Sequence, residues 1–221
     1  MSFPKRREFD GGKYVEVEFG RGKKLVRNAE IGHLLIRPNR EIFAELIDRA
    51  AKLSGEQEKN GMKMEMVGRK SGSSGRSRYY YRMQLENNIY FVKRTPTKEL
   101  QDFGGGAGEI TAMSEAGKLL EGISGVSLLE YHVGFEDNYE TFLVSRWDDG
   151  LRENLEDYMG RIRLLPDKQA EYEYLIQKKD EIVRILRPHF YDVDTHNMAY
   201  DTKYNKIIIF DLIKKPAKDA N

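Results

Sequence analysis

Polar and apolar residues alternate along several short stretches of the chain, a pattern typical of half-buried strands. The alternation is strictest at residues 13–19, and the glycine-containing turn after them predicts a returning strand at Lys23–Arg27. Runs of β-branched and aromatic residues favour further strands. These are predicted at Lys63–Val67, Arg78–Gln84, Ile89–Arg94, Ser127–Phe135, Thr141–Arg146, Met198–Tyr200 and Lys206–Leu212.

Longer stretches carry apolar residues at helical spacing and are bounded by start and stop signals. Asn39 can cap the first of these helices, and Gly55 can end it. Gly104-Gly-Gly106 predicts a flexible break before the second, and Pro188 ends the third. The predicted helices run from about Arg40 to Leu53, Glu109 to Glu121 and Asp167 to Leu186.

Composition excludes several kinds of chemistry for this 221-residue chain, which has no cysteine. Disulfides, thiolate zinc sites, iron–sulfur clusters and thiol nucleophiles are therefore ruled out. Four histidines make a histidine-rich metal site unexpected. The longest apolar runs, such as Ile207–Phe210, are far shorter than the roughly 18 residues that span a bilayer, and no secretory signal is visible. We expect a cytoplasmic protein without membrane association.

Charge is segregated along the chain although the net charge is only +1. Residues 61–94 contain eight basic and two acidic side chains, whereas residues 135–157 contain two basic and eight acidic ones. A basic segment around glycines suggests an anionic ligand, either phosphate or nucleic acid. The basic side chains near the glycines could add affinity for the anion or could attract an acidic partner; they are Arg69, Lys70, Arg76 and Arg78. The acidic segment could bind a basic substrate. The alternative interpretation is two solvated faces.

The first candidate for chemistry is a glycine-rich loop between two predicted strands. Gly68, Gly72 and Gly75 would allow the backbone to approach a phosphate closely, with free N–H groups as donors. The loop lacks the sequence of a Walker motif, and the strand that follows it differs from the Rossmann pattern. An ordinary flexible loop is the alternative.

The second candidate is Lys93, which lies within a predicted strand. Strand alternation places Phe91 and Lys93 on one face and Tyr90 and Val92 on the other. The lysine would then project a point charge beside the sheet. The alternative is an exposed lysine on an edge strand. Two helical carboxylates could pair with it, Glu115 and, as second choice, Glu109.

The third candidate is a group of carboxylate and amide side chains near the end of the chain. Asp192 precedes Asn197 by five residues, and Asp211 follows the apolar run at residues 207–210. Mg²⁺ prefers hard oxygen ligands of this kind, and Asn197 with Asp211 would supply two. An aspartate that ends an apolar strand is also a common turn signal.

Taken in order, these features resemble the protein-kinase-like fold. The resemblance covers about residues 62–212 and implies an α+β bilobal architecture. Its N-terminal lobe would be a five-stranded antiparallel sheet with helix C, and its C-terminal lobe would be a reduced helical lobe. The implied organisation is an N-terminal β/α extension at 1–60, an N-lobe at 61–147 and a C-lobe at 148–221.

The resemblance also implies a role for each candidate residue. The glycine loop would cover the phosphates of ATP, and Lys93, paired with Glu115, would hold the α- and β-phosphates. Arg146 and Trp147 would lie at the hinge, beside the adenine. Asn197 and Asp211 would hold Mg²⁺, and Asp192 would orient the acceptor hydroxyl and take its proton.

Several positions depart from the kinase pattern. Phe190-Tyr191 replace the usual His-Arg, Asp211 is followed by Leu-Ile without a glycine, and the loop glycines are displaced. The chain also ends ten residues after Asp211. We therefore expect either an ATP- and Mg²⁺-dependent kinase acting on a hydroxyl acceptor, such as a protein serine or threonine, or a pseudokinase that binds nucleotide or protein. A nucleic-acid-associated protein is a third interpretation.

Overall fold

The structure is a computed structural model that describes residues 6–9, 14–19, 23–27, 37–71, 77–136 and 139–216. In chain order, its strands are β1 (Arg6–Phe9), β2 (Tyr14–Phe19), β3 (Lys23–Arg27), β4 (Gln57–Lys59), β5 (Met62–Ser71), β6 (Ser77–Leu85), β7 (Asn88–Pro96), β8 (Val126–Leu128), β9 (Tyr131–Glu136), β10 (Glu140–Arg146), β11 (Phe190–Tyr191), β12 (Met198–Asp201), β13 (Lys206–Ile209) and β14 (Ile213–Lys214). The helices are α1 (Arg37–Ala50), α2 (Thr97–Leu100), α3 (Gly105–Leu119), α4 (Leu155–Ile162) and α5 (Gln169–Leu186). The α+β class is confirmed.

The chain divides into two compact units, and each is built from two segments. Unit 1 comprises Met1–Ala107 and Glu130–Trp147, and unit 2 comprises Gly108–Leu129 and Asp148–Asn221. Strands β1 to β3 and helix α1, which come from the predicted N-terminal extension, belong to unit 1. Among the described residues, none of the helices combines the length and the hydrophobicity needed to cross a membrane.

Unit 1 is built on a nine-stranded sheet in the order β1-β2-β3-β9-β10-β7-β6-β5-β4. All of its strand pairs are antiparallel. The prediction of five strands is therefore wrong. The five expected strands are neighbours, but β3 pairs with β9 and β4 pairs with β5, because each outer strand leaves a row of backbone groups that another strand can pair with.

Helix α1 covers one face of this sheet and forms the core of unit 1. Leu46, Ile47 and Ala50 are buried and belong to one hydrophobic cluster with the strand residues Tyr81 and Val92. The helix begins three residues before the predicted start and ends three residues before the predicted end. The sequence predicts the apolar stripe of this helix well, but it predicts the ends of the helix less accurately.

Unit 2 contains three strands that pair in the order β12-β13-β8, of which β8 is parallel to β13. A separate pair joins β11 to β14 in antiparallel register. The predicted single strand at Ser127–Phe135 is wrong, because it divides into β8 of unit 2 and β9 of unit 1. Burial and the Glu171 carboxylate raise the pKa of Tyr158, so this α4 phenol stays protonated and donates to the α5 carboxylate.

Candidate functional site

Lys93 occupies the middle of the sheet in unit 1. It lies on β7, between β6 and β10, where the register places it opposite Tyr80 on one side and Leu143 on the other. Only 1% of the residue is exposed. The alternative of an exposed lysine on an edge strand is therefore wrong. A buried ammonium group requires compensating charge or hydrogen bonds, which makes this position chemically demanding.

The alternation predicted around Lys93 is confirmed. Tyr90 and Val92 belong to the hydrophobic cluster under α1, whereas Phe91 and Lys93 do not. On the Lys93 face, the rings of Phe91 and Tyr80 stack with their centroids 5.8 Å apart. Both rings are buried. The lysine stem thus emerges from a sheet face covered with aromatic side chains.

Of the three loop glycines, the structure describes Gly68, while Gly72 and Gly75 lie outside the described residues. Gly68 is part of β5 and follows a register shift between Met66 and Gly68. A Cβ at this position would lie 3.4 Å from Cδ2 of Tyr80, which is an ordinary contact. Gly68 therefore lies on the same sheet face as Lys93, next to the ring that flanks it.

Of the two hinge candidates, Arg146 is the last residue of β10 and Trp147 follows it directly. The Trp147 N–H donates to the carbonyl of Ile89 over 2.9 Å, so the pairing with β7 extends one residue beyond the strand. The Arg82 guanidinium lies 6.0 Å from the centre of the Trp147 ring. Trp147 is half-buried and Arg146 is exposed. The indole is thus fixed at the end of unit 1 by backbone and side chain together.

In unit 2, the loop from Asp192 to Asn197 is closed by its own hydrogen bonds. The Asp192 carbonyl accepts from the Asp194 N–H at 2.9 Å and from Asn197 Nδ2 at 2.6 Å. Asp192 has a φ of 56°, a left-handed conformation that non-glycine residues adopt rarely. Its side chain is exposed, whereas Asn197 is fully buried. The loop therefore presents one carboxylate outward and fixes one amide inward.

Asn197 and Asp211 are brought together by the β12–β13 hairpin. The register pairs Met198 with Ile209, and the Phe210 N–H donates to the Asn197 carbonyl over 3.1 Å. Asp211 comes one residue later and is fully buried, as is Asn197. Two buried oxygen-bearing side chains thus lie at one end of one hairpin.

The resemblance expects Asn197 and Asp211 to hold Mg²⁺, and their side-chain oxygens are of the kind that Mg²⁺ accepts beside phosphate and water. Mg²⁺ is commonly bound through one or two protein oxygens with substrate phosphates, rather than in a full protein cage. The bond from Asn197 Nδ2 to Asp192 orients the amide and hence its oxygen. Over the part of the chain that the structure describes, no three or more His, Cys, Asp or Glu side chains are grouped to hold a metal.

Helix α3 carries both candidate carboxylates, and their environments differ. Glu115 forms an ion pair with Lys214 at 2.7 Å, within unit 2, and about a third of its side chain is exposed. Glu109, one and a half turns earlier, is 2% exposed. The pairing of Glu115 with Lys93 stays a prediction, and the structure gives the Glu115 carboxylate a different partner that sequence reasoning missed.

The segregated charges are largely paired within their own unit. Arg78, expected to attract anions, is buried with Glu99 at 3.1 Å, and that expectation is wrong for this residue. The acidic segment is also compensated, which favours a structural role over the binding of a basic substrate. Its pairs are Glu140 with Arg94, Asp148 with Lys206, Asp149 with Arg152 and Glu153 with Arg161.

Comparison with known proteins identifies no family for this chain. No model of a protein family matches this chain. A search of curated proteins likewise finds no match. The functional conclusion therefore depends on the residues themselves.

Proposed function

We propose that this chain is a kinase-like protein that binds ATP with Mg²⁺ and transfers a phosphoryl group to a hydroxyl acceptor. The observation that carries the proposal is the cluster in unit 2. Asn197 and Asp211 are fully buried at one end of the β12–β13 hairpin, and the Asn197 amide is bonded to Asp192. Burying a carboxylate is costly unless opposite charge or hydrogen bonds compensate it, and a bound cation would contribute to that compensation.

Unit 1 supports the same proposal independently. A lysine on the third strand after the start of the glycine segment is what kinase-like phosphate binding uses. Lys93 lies on β7, which follows β5 and β6, and it is buried in the middle of the sheet. The next strand in the sheet, β10, leads directly to Trp147, where the resemblance expects the adenine.

The roles proposed for the chain are positioning and charge compensation rather than covalent chemistry. Lys93 binds phosphate oxygens, and Asn197 with Asp211 holds Mg²⁺, which when bound neutralises charge on the transferred group. The exposed Asp192 carboxylate orients the acceptor hydroxyl and accepts its proton. Loop backbone at Gly68, Gly72 and Gly75 and the hinge at Arg146 and Trp147 complete the proposed nucleotide contacts.

One observation favours a binding module without turnover as the second candidate. In kinases, a glycine follows the metal-binding aspartate and its neighbour. Here, Leu212 and Ile213 follow Asp211, both are buried, and Ile213 opens β14, which pairs with β11. The segment after Asp211 is thus held in a strand, which favours a fixed arrangement over a catalytic cycle.

Nucleotide binding is the first test. We expect ATP with Mg²⁺ at 100 times its Kd to stabilise the protein by about 2.7 kcal/mol, measured by thermal denaturation. Asp211→Asn keeps the shape of the side chain but loses the charge, and should weaken the binding of ATP–Mg²⁺ at least about tenfold by calorimetry. Asp149→Asn, at an exposed position, is the matched control and should leave affinity unchanged. Equal affinities in all three proteins would refute the metal role.

Transfer of labelled phosphate then separates the two candidates. An active kinase should label an acceptor protein or itself, and Asp192→Asn should reduce the rate at least about a hundredfold while ATP affinity stays within about twofold. ATP binding without any labelling by the wild-type protein would instead establish the binding module. Absence of both binding and labelling would overturn the proposal as a whole.

A further inference from the structure

A separate cavity of about 930 Å³ lies within unit 2, away from the residues proposed above to bind magnesium. One wall is the C-terminal part of α3, with Lys118 and Leu119, and the other walls are the segment around β11 and the residues at the end of β14. We name it the α3–β14 groove. Its volume is at the upper end of the roughly 300–1,000 Å³ that small-ligand pockets occupy, so it is large enough for a few residues of peptide.

The groove is mainly basic. Lys118, Lys214, Lys215 and His189 line it together with one carboxylate, that of Glu115. Lys118 has no ion-pair or hydrogen-bond partner for its ammonium group among the described residues. The surplus of positive charge favours an anionic ligand.

The same groove exposes apolar surface. Leu119 and Tyr191 are 41% and 42% exposed, and the Lys215 ammonium lies 5.4 Å from the centre of the Tyr191 ring. Pro188 and Pro216 line it as well. A ligand that matches this surface needs an apolar side chain in addition to negative charge.

The ion pair at the centre of the groove can be exchanged at little cost. Lys214 and Glu115 lie 2.7 Å apart, but their side chains are 51% and 36% exposed. Exposed pairs of this kind contribute about 0–1 kcal/mol. A carboxylate on an incoming ligand can therefore share or replace Glu115 at Lys214 without unfolding anything around it.

The positions of the lysines indicate an extended ligand rather than a small anion. Lys214 is the last residue of β14 and Lys215 follows it, and their ammonium groups have different partners. Lys214 bonds to Glu115, whereas Lys215 donates to the Arg187 carbonyl at 2.7 Å. A single phosphate needs donors that converge on one point, and these lysines do not. A nucleic acid would leave the exposed Leu119 side chain unmatched.

We propose that the α3–β14 groove is a docking site for an acidic segment of a partner protein, anchored by one hydrophobic or aromatic side chain. Its carboxylates bind Lys118 and Lys214, and its apolar anchor covers Leu119 and the open side of Tyr191. This docking site is independent of the nucleotide chemistry proposed above, and it gives the protein a means of selecting a partner by charge and shape.

The test uses fluorescence anisotropy of the full chain with a labelled peptide of sequence Glu-Asp-Glu-Phe-Leu-Asp-Glu. Binding is expected, and raising the salt concentration should weaken it because exposed charges are screened. Exchanging Phe-Leu in the peptide for Ser-Ser should weaken binding at least about fivefold, and exchanging its acids for amides at least about tenfold. Labelled oligothymidylate and inorganic phosphate as competitor serve as the other two probes.

Variants of the protein locate the binding. Lys118→Gln with Lys214→Gln should weaken peptide binding at least about tenfold. Lys203→Gln, another exposed lysine of unit 2 that does not line the groove, should leave it within about twofold. Asp211→Asn should bind the peptide normally, which separates this proposal from the nucleotide site. No binding of the acidic peptide, equal binding by the lysine variants, or tighter binding of the oligonucleotide than of the peptide would each overturn the proposal.

Discussion

Replacing Glu99 by alanine is expected to lower the free energy of unfolding by about 3–5 kcal/mol. The loss arises because the substitution removes an ion-pair partner of the buried Arg78 guanidinium. Both side chains are almost wholly buried, at 7% and 6% exposure, and Arg78 Nε lies 3.1 Å from the Glu99 carboxylate. Without Glu99, the buried guanidinium loses that countercharge and with it the compensation that the carboxylate gave to its desolvation. Urea denaturation followed by circular dichroism measures the loss.

Two further variants identify the cause. Asp149→Ala removes a carboxylate from an ion pair at 3.1 Å whose side chains are 72% and 79% exposed, and should change stability by at most about 1 kcal/mol. Arg78→Met combined with Glu99→Leu removes both buried charges, and should recover most of the stability that Glu99→Ala loses. If the double variant were as unstable as the single one, the loss would come from packing rather than from an unpaired charge.

Features that repeat every two residues along a strand could be predicted from the sequence. The alternation around Lys93 places Tyr90 and Val92 in the core under α1 and Lys93 on the opposite face, as the structure also has it. This works because a strand turns consecutive side chains to opposite faces whatever its neighbours are. That the face is buried, and not at an edge, depends on β6 and β10, whose pairing no local pattern specifies.

The number of strands in the sheet could not be predicted from local sequence patterns either. The sequence predicts strands at residues 13–19 and 23–27, and the structure has β2 and β3 there. What it cannot predict is that β3 pairs with β9, more than a hundred residues later, and extends the sheet to nine strands. Pairing partners are chosen by backbone groups that every strand offers, so the hydrophobic pattern carries little information about them.

Helix α4 was missed although its signals are present. Asn154 caps it by accepting from the Asp157 N–H at 2.9 Å, and Leu155, Tyr158 and Ile162 are its buried side chains at helical spacing. The start of this helix lies in the acidic segment at residues 135–157, which the sequence pattern leads us to interpret by its charge. Acidic residues in the first turn of a helix are favoured by the helix dipole, so the charge was itself part of the helix signal.

Part of the candidate site could be predicted from the spacing of residues along the chain, and the rest depends on the tertiary fold. The spacing of Asp192, Asn197 and Asp211 predicts a loop and a strand end, and the structure joins these residues through one hairpin. The partner of Glu115 could not be predicted, because Lys214 is 99 residues away and a pairing across such a distance leaves no local pattern. Ion pairs between residues so far apart in sequence are determined by the tertiary fold.

Alanine at two glycines of helix α3 is expected to change stability in opposite directions. Gly105 begins the helix with a φ of 66°, and an added Cβ would clash with Oε2 of Glu136. That same oxygen accepts the Gly106 N–H at 2.7 Å and so caps the helix. Gly105→Ala therefore costs about 1–2 kcal/mol for the left-handed backbone and about 1 kcal/mol for the displaced cap.

Gly117→Ala is the matched control, since nothing lies within 4 Å of its added Cβ. Alanine in an exposed helix interior is favoured over glycine by about 0.5–1 kcal/mol, so this variant should be more stable than the wild type. Glu136→Gln should lose part of the cap only, because the amide oxygen still accepts the N–H but carries no charge for the helix dipole. Chemical denaturation of the three variants measures their free energies of unfolding and so ranks them by stability. Equal stability of Gly105→Ala and Gly117→Ala would mean that the Gly-Gly-Gly segment is the flexible break that the sequence suggests. Opposite signs show that the left-handed backbone at Gly105 is fixed, and a loss of stability in Glu136→Gln assigns part of the effect to the cap.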